Sequence, residues 1–500
     1  MSLMSLKSGT DIRGTAIGEK TDLTDEAIKK ITAGFVNLLE EKFQLAPSDM
    51  TVAVGHDSRL SAQRIKKNVI SVLCSQGVKV LDCSLASTPA MFMTTVTLGC
   101  TASVQITASH HPYDKNGLKF FTEKGGFEGS DIEKILRYAE NQDISSVEDI
   151  DNSEKTDFMS EYAKILCRMI CEGVNADDFE KPLKGFHIVT DAGNGVGGFY
   201  AKNVLETLGA DISGSLFLEP DGNFPNHAPN PENKVAMKFI SDAVVSSGAD
   251  FGVIFDTDVD RAACVDENGN EINRNSLVAL ASAIALEGNE GGTVVTDSVT
   301  SDGLKVFIED HLGGKHHRFR RGYKNVINEA VRLNNEGINC PLAIETSGHA
   351  ALRENYFLDD GAYLITKIII KLASLRKEGK KIGDMISSLR QPVGETELRF
   401  PILDSDFRSY GNYVISRLED YAKTKDGWKI ADDNREGIRI SLDENHGNGW
   451  MLLRLSVHDP IMPFNAESDS ADGVSKIISE FYEFIKDFDR LDLSAFGKQE

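Results

Sequence analysis

The chain has 500 residues with 77 acidic and 54 basic side chains, a net charge of −23. That balance argues against broad nucleic-acid binding, which rests on clustered Lys and Arg neutralising phosphates, and disfavours docking on anionic membranes. Hydrophobic content of 41% and charged content of 26% describe a globular chain with several cores, not a disordered acidic one. The seven cysteines include no C-x-x-C pair; Cys167 and Cys171, at helical spacing, read as packing thiols, and the pattern suits a reducing cytoplasm. No run of about 18 apolar residues predicts a membrane helix; the best stretch, Tyr363–Ala373, is broken by Lys367 and Lys371. The first residues lack the hydrophobic segment of a signal peptide, and Met1-Ser2-Leu3 ahead of Met4 reads as an added start. Nothing marks an interface, so oligomeric state is open.

In chain order, three segments share one pattern: a β-branched strand ending in Asp, a small polar loop, then a helical stretch. They are Val52–Arg59 with Asp57, Ile188–Gly195 with Asp191, and Val294–Ser301 with Asp297. Recurrence at domain-length intervals predicts three related α/β domains, too far apart for a solenoid. Polar stretches at 141–158 and 172–184 read as linkers, and 219–231 as a long turn-rich loop. Beyond Leu389–Glu395 the character changes. Alternation in Gly437–Ser441 and Trp450–Ser456 predicts strands, and a helix follows over about Ala471–Phe488. The predicted domains are 1–175, 176–275, 276–393 and a C-terminal α+β domain over 394–500.

Four loops could carry chemistry. In Thr107-Ala-Ser-His-His-Pro112, Ser109 stands beside His110 with Lys119 ten residues on, a setting for an activated hydroxyl; an ordinary turn before a hairpin reads equally well. In Asp256-Thr-Asp-Val-Asp-Arg261, three carboxylates alternate after the hydrophobic strand Phe251–Phe255, a donor set for a hard cation such as Mg²⁺. Other readings of this loop are an EF-hand, opposed by Arg261 where the turn needs Gly, a dehalogenase-like phosphatase with Asp256 as nucleophile, and a solvated acidic turn. Glu345-Thr-Ser-Gly-His349 combines a carboxylate, hydroxyls and an imidazole suited to sugar hydroxyls. Arg454-Leu-Ser456-Val-His458-Asp459-Pro460 can bind a phosphate dianion, and Arg318, Arg320, Arg321 and Lys324 form a further cationic cluster, for which surface ion pairing is the bland account.

Together with Gly9-Thr-Asp-Ile-Arg-Gly14, these loops in this order resemble the α-D-phosphohexomutase family over nearly the whole chain. The resemblance implies three related α/β domains plus a C-terminal domain around a central active-site cleft. It implies a mutase moving phosphate between O1 and O6 of glucose or mannose, with Ser109 carried as phosphoserine and a hexose 1,6-bisphosphate as intermediate and activator. Mg²⁺ would be held by Asp256, Asp258, Asp260 and the Ser109 phosphate. Lys119, Arg13 and His349 match positions linked to proton transfer or its support. Arg261 and Lys324 would stabilise charge, Glu345 and Ser347 would hold sugar hydroxyls, and Arg454, Ser456 and His458 would bind phosphate. The implied partner is a small sugar phosphate; a phosphoglucosamine mutase and an inactive sugar-phosphate-binding protein are the alternatives. The chain departs from the family pattern at His111, where Asn is usual, and at Val457, His458 and Asp459, which replace Gly, Thr and Glu. Thr346 leaves the hexose open.

Overall fold

The computed structural model describes residues 2–145, 147–456 and 459–498. They group into two compact units, Met1–Ile284 with Ser347–Met385, and Ala285–Thr346 with Ile386–Glu500. No described helix is long and apolar enough to cross a membrane.

The first unit opens with an α/β domain whose elements in chain order are β1 (Asp11–Thr15), α1 (Asp25–Phe43), β2 (Thr51–His56), α2 (Ala62–Ser75), β3 (Lys79–Leu85), α3 (Thr88–Thr97), β4 (Ala102–Ile106), β5 (Lys115–Thr122) and α4 (Gly129–Glu140). The sheet runs Lys7–Ser8, β1, β5, β4, β2, β3, Glu154–Lys155. β2 pairs in parallel with both β3 and β4, whereas β1, β5 and β4 are antiparallel neighbours. β4 is buried at every position, the polar Ser103 and Gln105 included, as a central strand of a sheet covered on both faces is. α1 starts at Thr24, whose hydroxyl accepts from Ala27 N–H, and carries Asp25 and Glu26 in its first turn, where the helix dipole favours them. It packs on α4 so closely that a Cβ at Gly34 would lie 2.4 Å from the Ile135 carbonyl oxygen.

The second α/β domain follows α5 (Phe158–Val174) and contains β6 (Ile188–Asp191), α6 (Lys234–Ser247), β7 (Phe251–Phe255) and β8 (Ala262–Val265). Its four strands run Glu271–Ile272, β8, β7, β6, with β6 and β7 parallel and β7 and β8 antiparallel. α6 lays Ala236, Met237, Ile240, Ala243 and Val244 on this sheet at helical spacing. Residues 219–231 form the irregular loop the composition predicts. The hairpin Ala350–Leu352 with Leu358–Asp359 and the helix Gly361–Lys377, which contains the longest apolar stretch, complete this unit.

In the second unit, Thr293–Thr296 pairs in parallel with Lys315–Arg318 and Leu342–Ile344, the third occurrence of the Asp-terminated strand. The C-terminal sheet is antiparallel, in the order Gly394–Pro401, Ile461–Ser468, Gly449–Leu453, Ile438–Leu442, Trp428–Ile430. Both strands read from alternation are present, and the helix expected over Ala471–Phe488 spans Gly473–Ile485. The molecule thus has three α/β domains and a further sheet-bearing domain.

Candidate active site

Ser109 lies in the loop joining β4 to β5. It is 1% exposed and has φ +51°, a left-handed conformation that costs a non-glycine residue roughly 1–3 kcal/mol. Its Oγ donates to Asp256 Oδ2 at 2.9 Å and lies 3.3 Å from His110 Nδ1. The Ser109 N–H donates to Thr107 Oγ1 (2.9 Å), and that hydroxyl donates to Asp57 Oδ2 (2.7 Å). Arg59 donates to the main-chain carbonyls of Ser109, His111, Pro112 and Lys115.

The second loop closes the antiparallel pair β7 and β8. Strands on both sides of Asp256–Arg261 exclude the EF-hand, which needs flanking helices. The turn gathers Asp256, Asp258 and Asp260, with one carboxylate oxygen of each within 4.8 Å of the others, all buried. Val259 between them has φ +68°, strained for a β-branched residue. Lys119 on β5 reaches Asp258 Oδ2 (3.4 Å) and pairs with Asp260 Oδ2. Thr88 donates to Asp258 Oδ2.

Burial, then the Asp260 and Asp258 charges, push the Asp256 carboxyl well above its usual range. Burial also works against the Asp260 carboxylate, but Lys119, His349 and Arg261 outweigh it and hold that group low. Oδ1 of Asp258 and of Asp260 are buried without a hydrogen-bond donor among the described residues. Crowded carboxylates with unsatisfied, hard oxygen donors fit a divalent cation of the Mg²⁺ type.

Around this pair of loops, Arg261 Nη2 donates to His110 Nδ1 at 2.9 Å, and Arg261 Nε lies 3.9 Å from Asp256 Oδ2. The Arg261 charge, then burial, holds His110 far below the ordinary histidine range; burial, then Arg13, takes His111 down to about 4. Arg13, on β1 opposite Gly117 of β5, pairs with Asp11 Oδ2 at 2.8 Å. Arg261 bridges His349 through an antiparallel backbone pair. Gly348 makes this possible: at φ +93°, a Cβ there would lie 2.6 Å from the Ala262 carbonyl oxygen. His349 Nδ1 is 2.5 Å from Asp359 Oδ2 and 3.9 Å from Asp260 Oδ1. Ser347 is buried in the same unit.

Thus Arg13, Ser109, His110, Lys119, Asp256, Asp258, Asp260, Arg261, Ser347 and His349 all belong to the first unit. Lys324, Glu345, Arg454 and Ser456 belong to the second, and His458 lies outside the described residues. There, Glu345 is buried and accepts from the Gly322 N–H at 2.5 Å. Arg454 is held below the usual arginine range by burial, against the charges of Glu436, Glu397 and Asp297. Arg318 does not belong with the cationic binding groups: it is 4% exposed and committed to Thr300, the Ser301 carbonyl, Asp302 and Asp433. Sequence reasoning assigned no role to Arg59, Thr107, Thr88 or Asp359. The one available signal was Asp57-Ser-Arg59 at the end of a repeated strand.

A buried serine hydrogen-bonded to a three-aspartate loop, with Lys, Arg and His close by, has the groups that phosphoryl transfer uses. Models of phosphoglucomutase/phosphomannomutase α/β/α domains I, II and III match residues 5–145, 167–269 and 273–393. The chain belongs to this family, the α-D-phosphohexomutases, and is a mutase, an enzyme of the isomerase class. It is 30% identical over 462 residues to the phosphoglucomutase/phosphomannomutase of Thermococcus kodakarensis, covering 92% of this chain and 93% of that protein. It is 28% identical over 483 residues to the phosphomannomutase/phosphoglucomutase of Pseudomonas aeruginosa, covering 96% and 95%. A crystal structure of a phosphoglucomutase/phosphomannomutase family protein from Burkholderia thailandensis matches with a TM-score of 0.79 at 24% identity, covering 97% of this chain and 98% of that one.

Proposed function

We propose that this enzyme interconverts the 1-phosphate and 6-phosphate of glucose or mannose through a Ser109 phosphoserine and a hexose 1,6-bisphosphate. The carrying observation is the hydrogen bond from Ser109 Oγ to Asp256, whose loop also binds Lys119. Mg²⁺, held by Asp256, Asp258, Asp260 and the Ser109 phosphate, would polarise the phosphoryl oxygens.

The sugar's free hydroxyl attacks the phosphorus as the P–Oγ bond to Ser109 breaks. Its proton leaves to His349, while the Lys119 ammonium gives a proton to the departing Ser109 Oγ; the second transfer runs both proton moves in reverse. With Nδ1 donating to Asp359, neutral His349 carries its lone pair on Nε2, the nitrogen that accepts this proton. Lys119, Arg261 and Arg13 supply positive charge around the transferring group. His110, its Nδ1 accepting from Arg261, stays neutral and ties that guanidinium to the serine loop. The bisphosphate then presents its other end, and the second phosphate returns to Ser109. On the family resemblance, Glu345 and Ser347 would hold sugar hydroxyls, Arg454, Ser456 and His458 would bind phosphate, and Lys324, like Arg261, would stabilise charge near the transferring group. The free cysteines among the described residues suit the cytoplasm.

Intact-mass measurement of the purified enzyme tests this reading, with about one phosphate on Ser109 expected. Ser109→Ala should abolish turnover; full activity in that variant sinks the mechanism. A panel of the 1-phosphates of glucose, mannose, glucosamine and N-acetylglucosamine identifies the sugar, and turnover of the first two is expected.

A further inference from the structure

We propose that Asp57 and Arg59 are positioning residues for the Ser109 nucleophile, holding its loop in the backbone conformation from which phosphoryl transfer occurs. The proposal rests on Ser109 being the phosphate carrier. Both side chains are fully shielded from solvent. The guanidinium spends its Nη1 and Nη2 protons on carbonyls of one loop: Pro112 (2.7 Å) and Lys115 (2.9 Å) from Nη1, Ser109 and His111 (2.6 Å) from Nη2. Its Nε faces Asp57 Oδ2 at 3.2 Å. Only a rigid planar fork serves four carbonyls at once; an ammonium on a flexible stem cannot.

Asp57 closes the arrangement from the other side. Its Oδ1 accepts the Arg59 N–H (2.9 Å), and its Oδ2 accepts from Thr107, whose oxygen takes the Ser109 N–H. Ser109 is therefore held at its N–H and at its C=O, the two groups that define its strained φ. The turn carrying Arg59 is itself pinned by the second α/β domain. A Cβ at Gly222 would lie 2.5 Å from both the Ser58 carbonyl oxygen and the Leu60 nitrogen, and Phe224 lies under the guanidinium at 5.3 Å.

A buried ion pair adds little to stability, because desolvation roughly cancels its attraction. What this pair does supply is geometry, on which phosphoryl transfer chiefly depends.

Arg59→Lys keeps the charge and loses the fork. In the full-length enzyme, with circular dichroism showing a folded chain, kcat on the substrate found in the panel should fall about 100-fold while KM stays within about threefold. Wild-type kcat in that variant, or a loss confined to KM, overturns the proposal. Ser109→Ala separates the two levels: if it is inactive while Arg59→Lys is fully active, only the positioning role falls, whereas an active Ser109→Ala removes the phosphoserine reading itself. Should Arg59→Lys fail to fold, Thr107→Val decides. It cuts the link from Asp57 to the Ser109 N–H without stranding a charge, and the same loss in kcat alone is expected; unchanged kcat overturns the proposal.

Discussion

His349 is tied to the three-aspartate loop in two ways, through its backbone pair with Arg261 and through the approach of Nδ1 to Asp260. Neither fixes the ring; Asp359 does. Asp359 meets the imidazole with Oδ2 and takes the Ala350 N–H with Oδ1 at 3.1 Å, so the backbone holds the carboxylate against the ring. Asp359→Asn removes the acceptor that selects the Nδ1–H tautomer while keeping size and polarity. We expect kcat to fall about 100-fold, the scale of a lost general base, with KM and the unfolding midpoint little changed. Steady-state kinetics on the panel substrate checks this. Asp359 went unremarked in the sequence because nothing local marks it: it lies ten residues from His349, and the hairpin between them sets the contact.

At the scale of elements, each Asp of the three Asp-terminated strands holds a side chain from a later loop. Asp57 takes the Thr107 hydroxyl (2.7 Å), Asp297 takes the Thr346 hydroxyl (2.8 Å), and Asp191 takes His227 Nε2 (2.9 Å). In the first and third domains that threonine follows the strand paired in parallel with the Asp-bearing one. The repeat visible in the sequence is thus, in the first and third domains, a repeated way of anchoring a candidate site loop.

The C-terminal sheet contains a different polar pair. Glu467 on Ile461–Ser468 stands opposite Trp450 and accepts its indole N–H at 2.9 Å, and Arg439 stacks on that ring with its guanidinium 3.6 Å from the centroid. Burial raises the Glu467 carboxyl to about 7; Arg439 and the Trp450 hydrogen bond oppose it, while Glu395 and Asp302 add to it. A raised carboxyl means that the folded state keeps a proton the unfolded chain releases. This contribution to stability is therefore complete below pH about 4.5 and is lost as pH rises through about 7. Glu467→Gln should leave stability unchanged near pH 4.5 and raise it by about 3 kcal/mol at pH 8. Urea unfolding at the two pH values checks this, and equal stabilisation at both would refute it.

At the scale of the molecule, the net charge of −23 does not decide whether a phosphate ester binds, because binding answers to the charges near the ligand, not to the sum over the chain. The three buried aspartates predict a link between metal and global stability. At a hundredfold excess over its dissociation constant, Mg²⁺ should stabilise the first unit by about 2.7 kcal/mol, raising its melting midpoint by a few degrees. Chelation should reverse that shift and abolish turnover, as differential scanning calorimetry and activity assays would show.

By itself the sequence determined the threefold α/β plan and the strand before each candidate loop, because residue type and hydrophobic period are local properties. Only the tertiary structure decided what holds those loops in place. Arg59 reaches four carbonyls some fifty residues away because β2 pairs in parallel with β4, and Lys119 meets Asp260 because two domains pack within one unit. Such contacts depend on strand order and register, which no local pattern encodes, and they fix the conformation in which Ser109 is held.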